Sequence, residues 1–431
     1  MKIGIPKNHK ELKYHLRDPL FKNAIHLIST TFATAALGFV FWMVVTRCYA
    51  SEEVGLASTI ISSMNLLAML SLLGFNVALI RFLPNSNEKN NMINSCFTLS
   101  LIAALVFSII FLLGLNIWSP KLLFLKQHLV FAALFIAFTG IWVITSLLNS
   151  VFISNRTSKY VLLKESIFGA SKIPIPIFLV SFGAFGVFFA WGIGSVIALI
   201  VGMVFLFRII PLYKPMILVK REVVNDMFRF SFWNYVANVF NVAPALILPI
   251  MITNVLSPDI TAYFYISWMI ATLLFMIPVG TSQSLFAEGS NIEEKVVENV
   301  RKSMKFISLL LIPSIIFVLI FGDKFLLLFG KQYSVQGFKL LQILAVSAIP
   351  FAVNAIYISV KKIRKEIDMI VLVYGIVAFV TLGGSYLLLE SVGLIGVGYA
   401  WILGNVITAG GIGLVGMKYR LKRIRKFERE V

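Results

Sequence analysis

Two stretches of this chain, 210 residues apart, are nearly the same sentence. Residues 183–196 read GAFGVFFAWGIGSV and residues 393–406 read GLIGVGYAWILGNV, with seven of fourteen positions identical, Trp191 and Trp401 among them. An apolar composition produces chance matches, but not glycines and a tryptophan held in register. At an offset of 207, residues 46–53 (TRCYASEE) fall on 253–260 (TNVLSPDI) and residues 87–91 (NEKNN) on 294–298 (EKVVE). Phe152-Ile-Ser meets Tyr357-Ile-Ser at an offset of 205. The drift from 205 to 210 is what small loop insertions produce. The chain is therefore two copies of one unit of about 190–200 residues, and whatever fold it takes must be built twice.

The solvent for that fold is lipid. The chain is 59% hydrophobic and 13% charged, with a mean hydropathy of +0.92 over 431 residues. A helix needs about 20 apolar residues to cross the hydrocarbon. Long unbroken apolar runs with little alternation make helices the way to satisfy the backbone there. Twelve spans are expected, at 23–46, 55–79, 92–117, 128–153, 161–182, 186–210, 230–256, 261–285, 305–321, 335–360, 367–389 and 393–417. The ninth is the shortest and carries Pro313.

The net charge of +19 invites a nucleic-acid reading, but the placement of the charges argues against one. With a cytoplasmic N-terminus and twelve spans, 32 of the 38 Lys and Arg fall on the cytoplasmic side and six outside: Arg47, Lys121, Lys126, Lys324, Lys331 and Lys339. That split is a positive-inside signal and places both termini in the cytoplasm of a cell-membrane protein. The remaining pull of the charge is on anionic lipid headgroups. The partners expected are thus membrane lipids, with no nucleic acid.

Six spans per copy is an even number, so the two copies point the same way. Their pseudo-twofold axis then runs along the membrane normal. The expected organisation is a basic tail at 1–21, a six-helix bundle at 22–211, a linker at 212–227, a second bundle at 228–417 and a basic tail at 418–431. In membrane proteins such repeats usually mark a transporter whose site lies between the halves. Cys48 and Cys96 make no disulfide framework. The first apolar run is too long for a cleavable signal and lacks a small-residue cleavage pattern.

The first 85 residues carry the most specific pattern. An apolar first span is followed by Arg47, the turn Ser51-Glu-Glu-Val-Gly-Leu56, then Leu73-Gly74 and Arg81-Phe-Leu-Pro84. This resembles the polysaccharide-export branch of the multidrug/oligosaccharidyl-lipid/polysaccharide exporter superfamily. Residues 321–360 are similar to that family's ninth and tenth spans. The resemblance implies an all-α polytopic membrane protein: twelve transmembrane helices in two six-helix bundles, arranged as a V-shaped MATE-like flippase. It also implies alternating access, and cargo that is an oligosaccharide linked to a polyprenyl phosphate or pyrophosphate, moved from the cytoplasmic to the outer leaflet. Spans 1, 2, 7 and 8 are implied to line the cleft.

Such a cargo needs cations for its phosphate and amides, hydroxyls and aromatics for its sugars. Lys22 and Arg229 are repeat equivalents at the start of spans 1 and 7, placed to receive the phosphate; ordinary positive-inside anchoring is the alternative. His26, one turn on from Lys22, is a third phosphate candidate or a packing histidine. Asn234, Asn238 and Asn241 recur at i, i+4 and i+7 along span 7, one helical stripe. They either line a cavity and bind sugar or bond neighbouring helices. Pro244 and Pro249 follow them. Arg81 and Glu288, repeat equivalents of opposite charge, are a candidate cytoplasmic gate or two unrelated interfacial charges. Lys164 and Glu165 are expected to satisfy each other or the headgroups.

There is no Walker A sequence, HExxH, CxxC or GxSxG in the required setting, so neither an enzyme nor a cofactor or metal is expected. Two further readings stay open. An ion-coupled multidrug exporter on the same fold calls for buried carboxylates, whereas the acidic residues here sit at loops and helix ends. A membrane glycosyltransferase calls for a sizeable outer loop. A monomer is sufficient for a chain that already holds both bundles.

Overall fold

The computed structural model describes residues 19–290 and 296–430, the side chains at 19–22, 24, 221–223 and 415–430 excepted. Every long regular element among the described residues is an α-helix. In chain order these are α1 (Pro19–Cys48), α2 (Ser51–Ser71), α3 (Phe75–Phe82), α4 (Lys89–Leu113), α5 (Leu129–Ser154), α6 (Ser158–Ser171), α7 (Ile175–Phe178) and α8 (Gly183–Ile209). The second copy contributes α9 (Arg221–Val255), α10 (Pro258–Gly289), α11 (Val296–Leu327), α12 (Lys331–Ile363), α13 (Ile367–Val392) and α14 (Leu394–Glu430). Eleven helices among the described residues are long and apolar enough to cross a membrane. The molecule is a multi-pass, all-helical membrane protein.

The fifth expected span, 161–182, is not one helix. It is α6, which stops at Ser171, followed by a turn, the single-turn α7 and a 3-10 turn at Val180–Phe182. Pro174 and Pro176, two residues apart, bring no amide hydrogens to this stretch and so remove two helix hydrogen bonds from it. The ninth span departs the other way. It is α11, 32 residues long and unbroken although Pro313 lies inside it.

Span 2 is also broken, between α2 and α3, where Leu73 (φ 49°) and Gly74 (φ 81°) take left-handed conformations. The Leu70 carbonyl near the break accepts a hydrogen bond from the Tyr235 hydroxyl at 2.9 Å. Its repeat counterpart, α10, runs through the matching Gly280 without interruption. The two copies therefore diverge here.

The repeated motif has a local cause. Gly183 (φ 54°) and Gly393 (φ 71°) turn the chain into α8 and α14 in a region of backbone space that is nearly glycine-only. Three residues on, a Cβ at Gly186 would lie 2.3 Å from the Leu179 carbonyl oxygen, and one at Gly396 would lie 2.9 Å from that of Leu388. The same glycines do the same two jobs in both copies.

The chain divides into two compact units. One takes Met1–Tyr49 with Ser63–Tyr235, the other Ala50–Ser62 with Val236–Val431. Helix α2 thus gives its first turns to the C-terminal unit, and α9 gives its first turns to the N-terminal one. The N-terminal unit has a continuous apolar core that includes Phe75, Leu79, Ile93, Leu147 and Phe152.

The segment leading into α9 is strapped along the start of α4. Asn90 and Asn94 donate to the Leu212 and Lys214 carbonyls, both at 2.8 Å, and the Tyr213 hydroxyl donates to Asn94 Oδ1 at 2.7 Å. Lys220 adds an ion pair to Glu88 at 2.5 Å. Burial pushes the Tyr213 hydroxyl up to about 12. Hydrogen bonding from Lys220 holds the Glu88 carboxyl below the usual range.

Candidate functional site

The C-terminal unit contains a cavity of about 330 Å³. Its polar lining is Asn241, Ser282, Gln283, Asn354, Ser359 and Asn405, with rings from Phe240, Tyr374 and Trp401 among its walls. Among the described residues Lys362 is the one charged lining residue, and no carboxylate lines the cavity. Five helices supply these groups: α9, α10, α12, α13 and α14, the last through Trp401 and Asn405.

A buried amide network fixes that lining. The Asn354 amide nitrogen donates to the Asn405 carbonyl at 3.1 Å and to Thr408 Oγ1 at 2.7 Å. A backbone carbonyl can only accept, so the Asn354 amide group is oriented with its nitrogen toward α14. Its own oxygen is buried and unpartnered among the described residues. Asn405 in turn donates to the Trp401 carbonyl at 3.0 Å, and Ser359 donates to the Ser282 carbonyl at 2.7 Å. The Trp401 ring sits edge-on to Trp268, with centroids 4.9 Å apart. Amides, hydroxyls and aromatic faces around a small volume are the groups that hold sugar rings. A single cation with no carboxylate suits a cargo bearing negative rather than positive charge.

The residues singled out from sequence fall as follows. Asn241 lines the cavity, while Asn234 and Asn238 do not. Asn234 is half-buried in the N-terminal unit, and Asn238 and Asn241 are exposed in the C-terminal one. The stripe is thus real as a face of α9, but only its last member reaches this site. Arg229 is exposed near the start of α9, and the Lys22 side chain lies outside the described residues. His26 is half-buried, and its Nε2 is buried without a partner among the described residues. Arg81, at the end of α3, is exposed, as is Glu288 at the end of α10. Lys302 on α11 pairs with Glu298 at 2.7 Å.

A second polar centre lies inside the N-terminal unit, and it corrects the charge map. Lys164 and Lys172, counted above as cytoplasmic charges, are 1% and 3% exposed. Without them the expected count on that side falls from 32 to 30, and these two buried lysines are not part of that asymmetry. Lys164 Nζ pairs with Glu165 Oε1 at 2.8 Å and donates to the Thr145 carbonyl at 3.0 Å. Asn149 donates to the same carboxylate oxygen at 2.8 Å. The expected mutual satisfaction of Lys164 and Glu165 is therefore present, but in the protein interior rather than at its surface. Lys172 Nζ lies 3.4 Å from the centroid of Trp191, 4.2 Å from that of Phe168 and 4.8 Å from that of Phe41.

The family model for polysaccharide biosynthesis proteins matches residues 20–287. The chain belongs to this family. Solved transporters share its fold. The lipid II flippase MurJ in an inward closed conformation superposes with a TM-score of 0.72 at 16% identity, over 90% of this chain and 86% of MurJ. An inward-facing MATE-family multidrug resistance transporter of the MOP superfamily gives 0.69 at 16% identity, over 94% and 99%. A MOP superfamily transporter from Pyrococcus furiosus, described as having a binding pocket of reversed polarity, gives 0.63 at 15%, over 94% and 96%. At these identities the likeness is one of fold. No curated protein sequence matches the chain.

In this member of the polysaccharide biosynthesis family, the cavity residues on α12 and α14 went unseen in the sequence. Asn354, Asn405 and Thr408 are single polar residues in apolar runs, with no stripe to mark them. The signal available was Trp401 itself, repeated from Trp191, which borders the cavity.

Proposed function

We infer that this protein is a flippase that moves a polyprenyl-phosphate- or pyrophosphate-linked oligosaccharide from the cytoplasmic to the outer leaflet, for surface glycan assembly. The observation that carries this reading is the chemistry of the C-terminal cavity: amides, hydroxyls and aromatic faces, one lysine and no carboxylate. An exporter of organic cations needs the reverse polarity in its pocket. The family to which the chain belongs is consistent with glycan cargo.

The cavity is at the low end of the size range for ligand pockets, roughly 300–1,000 Å³. It holds part of an oligosaccharide at a time, with Asn241, Asn354 and Trp401 against the sugar. Lys22, His26 and Arg229 are proposed to take the phosphate on entry, Asn234 and Asn238 to extend the sugar path along α9, and Arg81 and Glu288 to act as the gate. Translocation by alternating access consumes no bond of the cargo, so the protein works as a transporter and not as an enzyme.

Deleting the gene in its own host and measuring lipid-linked glycan by leaflet tests the proposal. Cargo accumulating on the cytoplasmic leaflet, with surface glycan lost and tolerance of organic cations unchanged, is the expected result. Unchanged glycan with greater sensitivity to organic cations overturns it in favour of a multidrug exporter.

A further inference from the structure

The cargo reading leaves the N-terminal polar centre unused. Its charge count is uneven: two lysines face one glutamate. The Glu165 carboxylate is already matched by Lys164 at 2.8 Å and by the Asn149 amide at 2.8 Å. The Lys172 ammonium has no ion pair and no hydrogen bond among the described residues. What surrounds it is aromatic, and the three rings offer their faces to its ammonium.

Position adds a second constraint. Lys172 caps the C-terminal end of α6, where the helix dipole presents partial negative charge. Its cage partners Phe41 and Trp191 lie seven and eight residues inside the Cys48 end of α1 and the Gly183 end of α8. At 1.5 Å per residue the ammonium is about 10–12 Å below those helix ends, within the hydrocarbon depth.

An unpaired ammonium there carries a large desolvation cost. The ring faces, the helix end and the field of Glu165, about two helical turns away, offset part of it. The neutral amine carries no such cost, and forgoes those attractions. The two forms are therefore brought close in free energy, a condition that a paired lysine such as Lys164 does not meet. The groups facing Lys172 are Phe41 on α1, Phe168 and, in field, Glu165 on its own helix, and Trp191 on α8. On α5, Asn149 and Thr145 reach it only through the Lys164–Glu165 pair. Its titratable neighbours are Glu165, whose charge favours the ammonium, and Lys164, paired with Glu165, whose like charge opposes it.

We propose that Lys172 is a reversible proton-binding site inside the N-terminal unit, with the Glu165 carboxylate as its fixed counter-charge and the Trp191 ring as its seat. It gives the protein a proton-responsive element distinct from the cargo cavity, and does not depend on what the cargo is.

The indole of Trp191 supplies the test, because an ammonium 3.4 Å from its centroid alters its emission when the proton leaves. Tryptophan emission of the purified full-length protein in lipid nanodiscs is titrated from about pH 5 to pH 10. The expected result is a one-proton step that disappears in Lys172→Met and in Trp191→Phe. In Lys172→Arg, which keeps its charge throughout, emission stays at the low-pH value. Glu165→Gln moves the midpoint to lower pH. Should Lys172→Met fail to fold, the Arg and Phe variants carry the same decision. A wild type with no step, or a step that survives in both Lys172→Arg and Trp191→Phe, overturns the proposal.

Discussion

Gly55 belongs to the Ser-Glu-Glu-Val-Gly-Leu turn, one turn into α2, where that helix crosses the start of α10. A Cβ on Gly55 would lie 1.6 Å from the Pro258 carbonyl oxygen. Carbon–oxygen contacts between helices settle near 3.3–3.6 Å, so Gly55→Ala requires the two backbones to part by about 2 Å. No flexible side chain is there to give way. One turn further, Thr59, Thr253 and Thr261 form a fully buried hydroxyl chain, with Oγ1 atoms 2.6 and 2.8 Å apart. Thr59 also donates to the Gly55 carbonyl at 2.8 Å. A 2 Å shift breaks this chain as a unit. Overpacking costs about 1–3 kcal/mol, and hydrogen bonds between membrane helices average about 0.6 kcal/mol each. With two or three of them lost, the total is about 2–5 kcal/mol. For units of this size that is a drop on the order of 10 °C in melting temperature. The control is Gly38→Ala on α1, where a Cβ meets nothing within 4 Å. It is expected to be neutral or slightly stabilising, since alanine is the better helix former by about 1 kcal/mol. Thermal stability of both variants by size-exclusion chromatography after heating decides the matter. If Gly55→Ala melts with Gly38→Ala, or if Thr59→Val costs more than Gly55→Ala, the close-crossing argument is wrong.

Three further outcomes are expected. Lys164→Met strands the Glu165 carboxylate in the protein interior, at a cost of about 3–5 kcal/mol, and Lys164→Met with Glu165→Gln recovers most of it; a double variant no more heat-stable than the single one refutes the pairing. Gly74→Ala combines a left-handed backbone (φ 81°) with a Cβ 2.7 Å from Ser231 Oγ, and loses about 2–4 kcal/mol. Adding Ser231→Ala in the same melting assay should restore only the contact part. The strap between Leu212 and Lys220 should open to limited proteolysis at both extremes of pH. Tyr213 is held protonated to about 12, so its bond to Asn94 is intact below its ordinary value near 10 and lost as pH rises through about 12. Glu88 is held below the usual carboxylate range, so its contribution is present above that range and fades as pH falls below it. Tyr213→Phe should abolish the alkaline step and leave the acid one.

How far the sequence could be read depended on whether a pattern repeated. Helices were legible because apolar runs and the two-copy register repeat, and Gly183 and Gly393 mark the same turn twice. The breaks in spans 2 and 5 were not, since Leu73 and the stretch around Pro174 are tolerated in a membrane only through partners far along the chain, such as the Tyr235 hydroxyl. At the sites, the Asn234–Asn238–Asn241 stripe was visible by its period, yet only Asn241 lines the cavity. Lys172 was misread because a lysine near the edge of an apolar run is ordinarily interfacial. Its burial rests on Phe41, more than 100 residues away in the chain, and on Trp191.

That misreading exposes the difference between the two copies. Trp191 and Trp401 are the same residue of the repeat. Each packs against other aromatic rings, Phe41 and Phe168 around one and Trp268 and Phe275 around the other. Each indole nitrogen is buried without a partner among the described residues. What fills the space beside them differs. In the N-terminal unit the chain's own Lys172 lies over the ring. At offsets of 205 to 210 from Lys172 the second copy carries VAFVTL, residues 377–382, with no charged group to do the same. There the tryptophan borders an open cavity instead. An ammonium seated on an aromatic ring can exchange only its proton, whereas an aromatic ring beside an open, amide-lined volume can take a ligand. One duplicated scaffold thus yields two chemically different interiors, and the absence of a single lysine is enough to separate them.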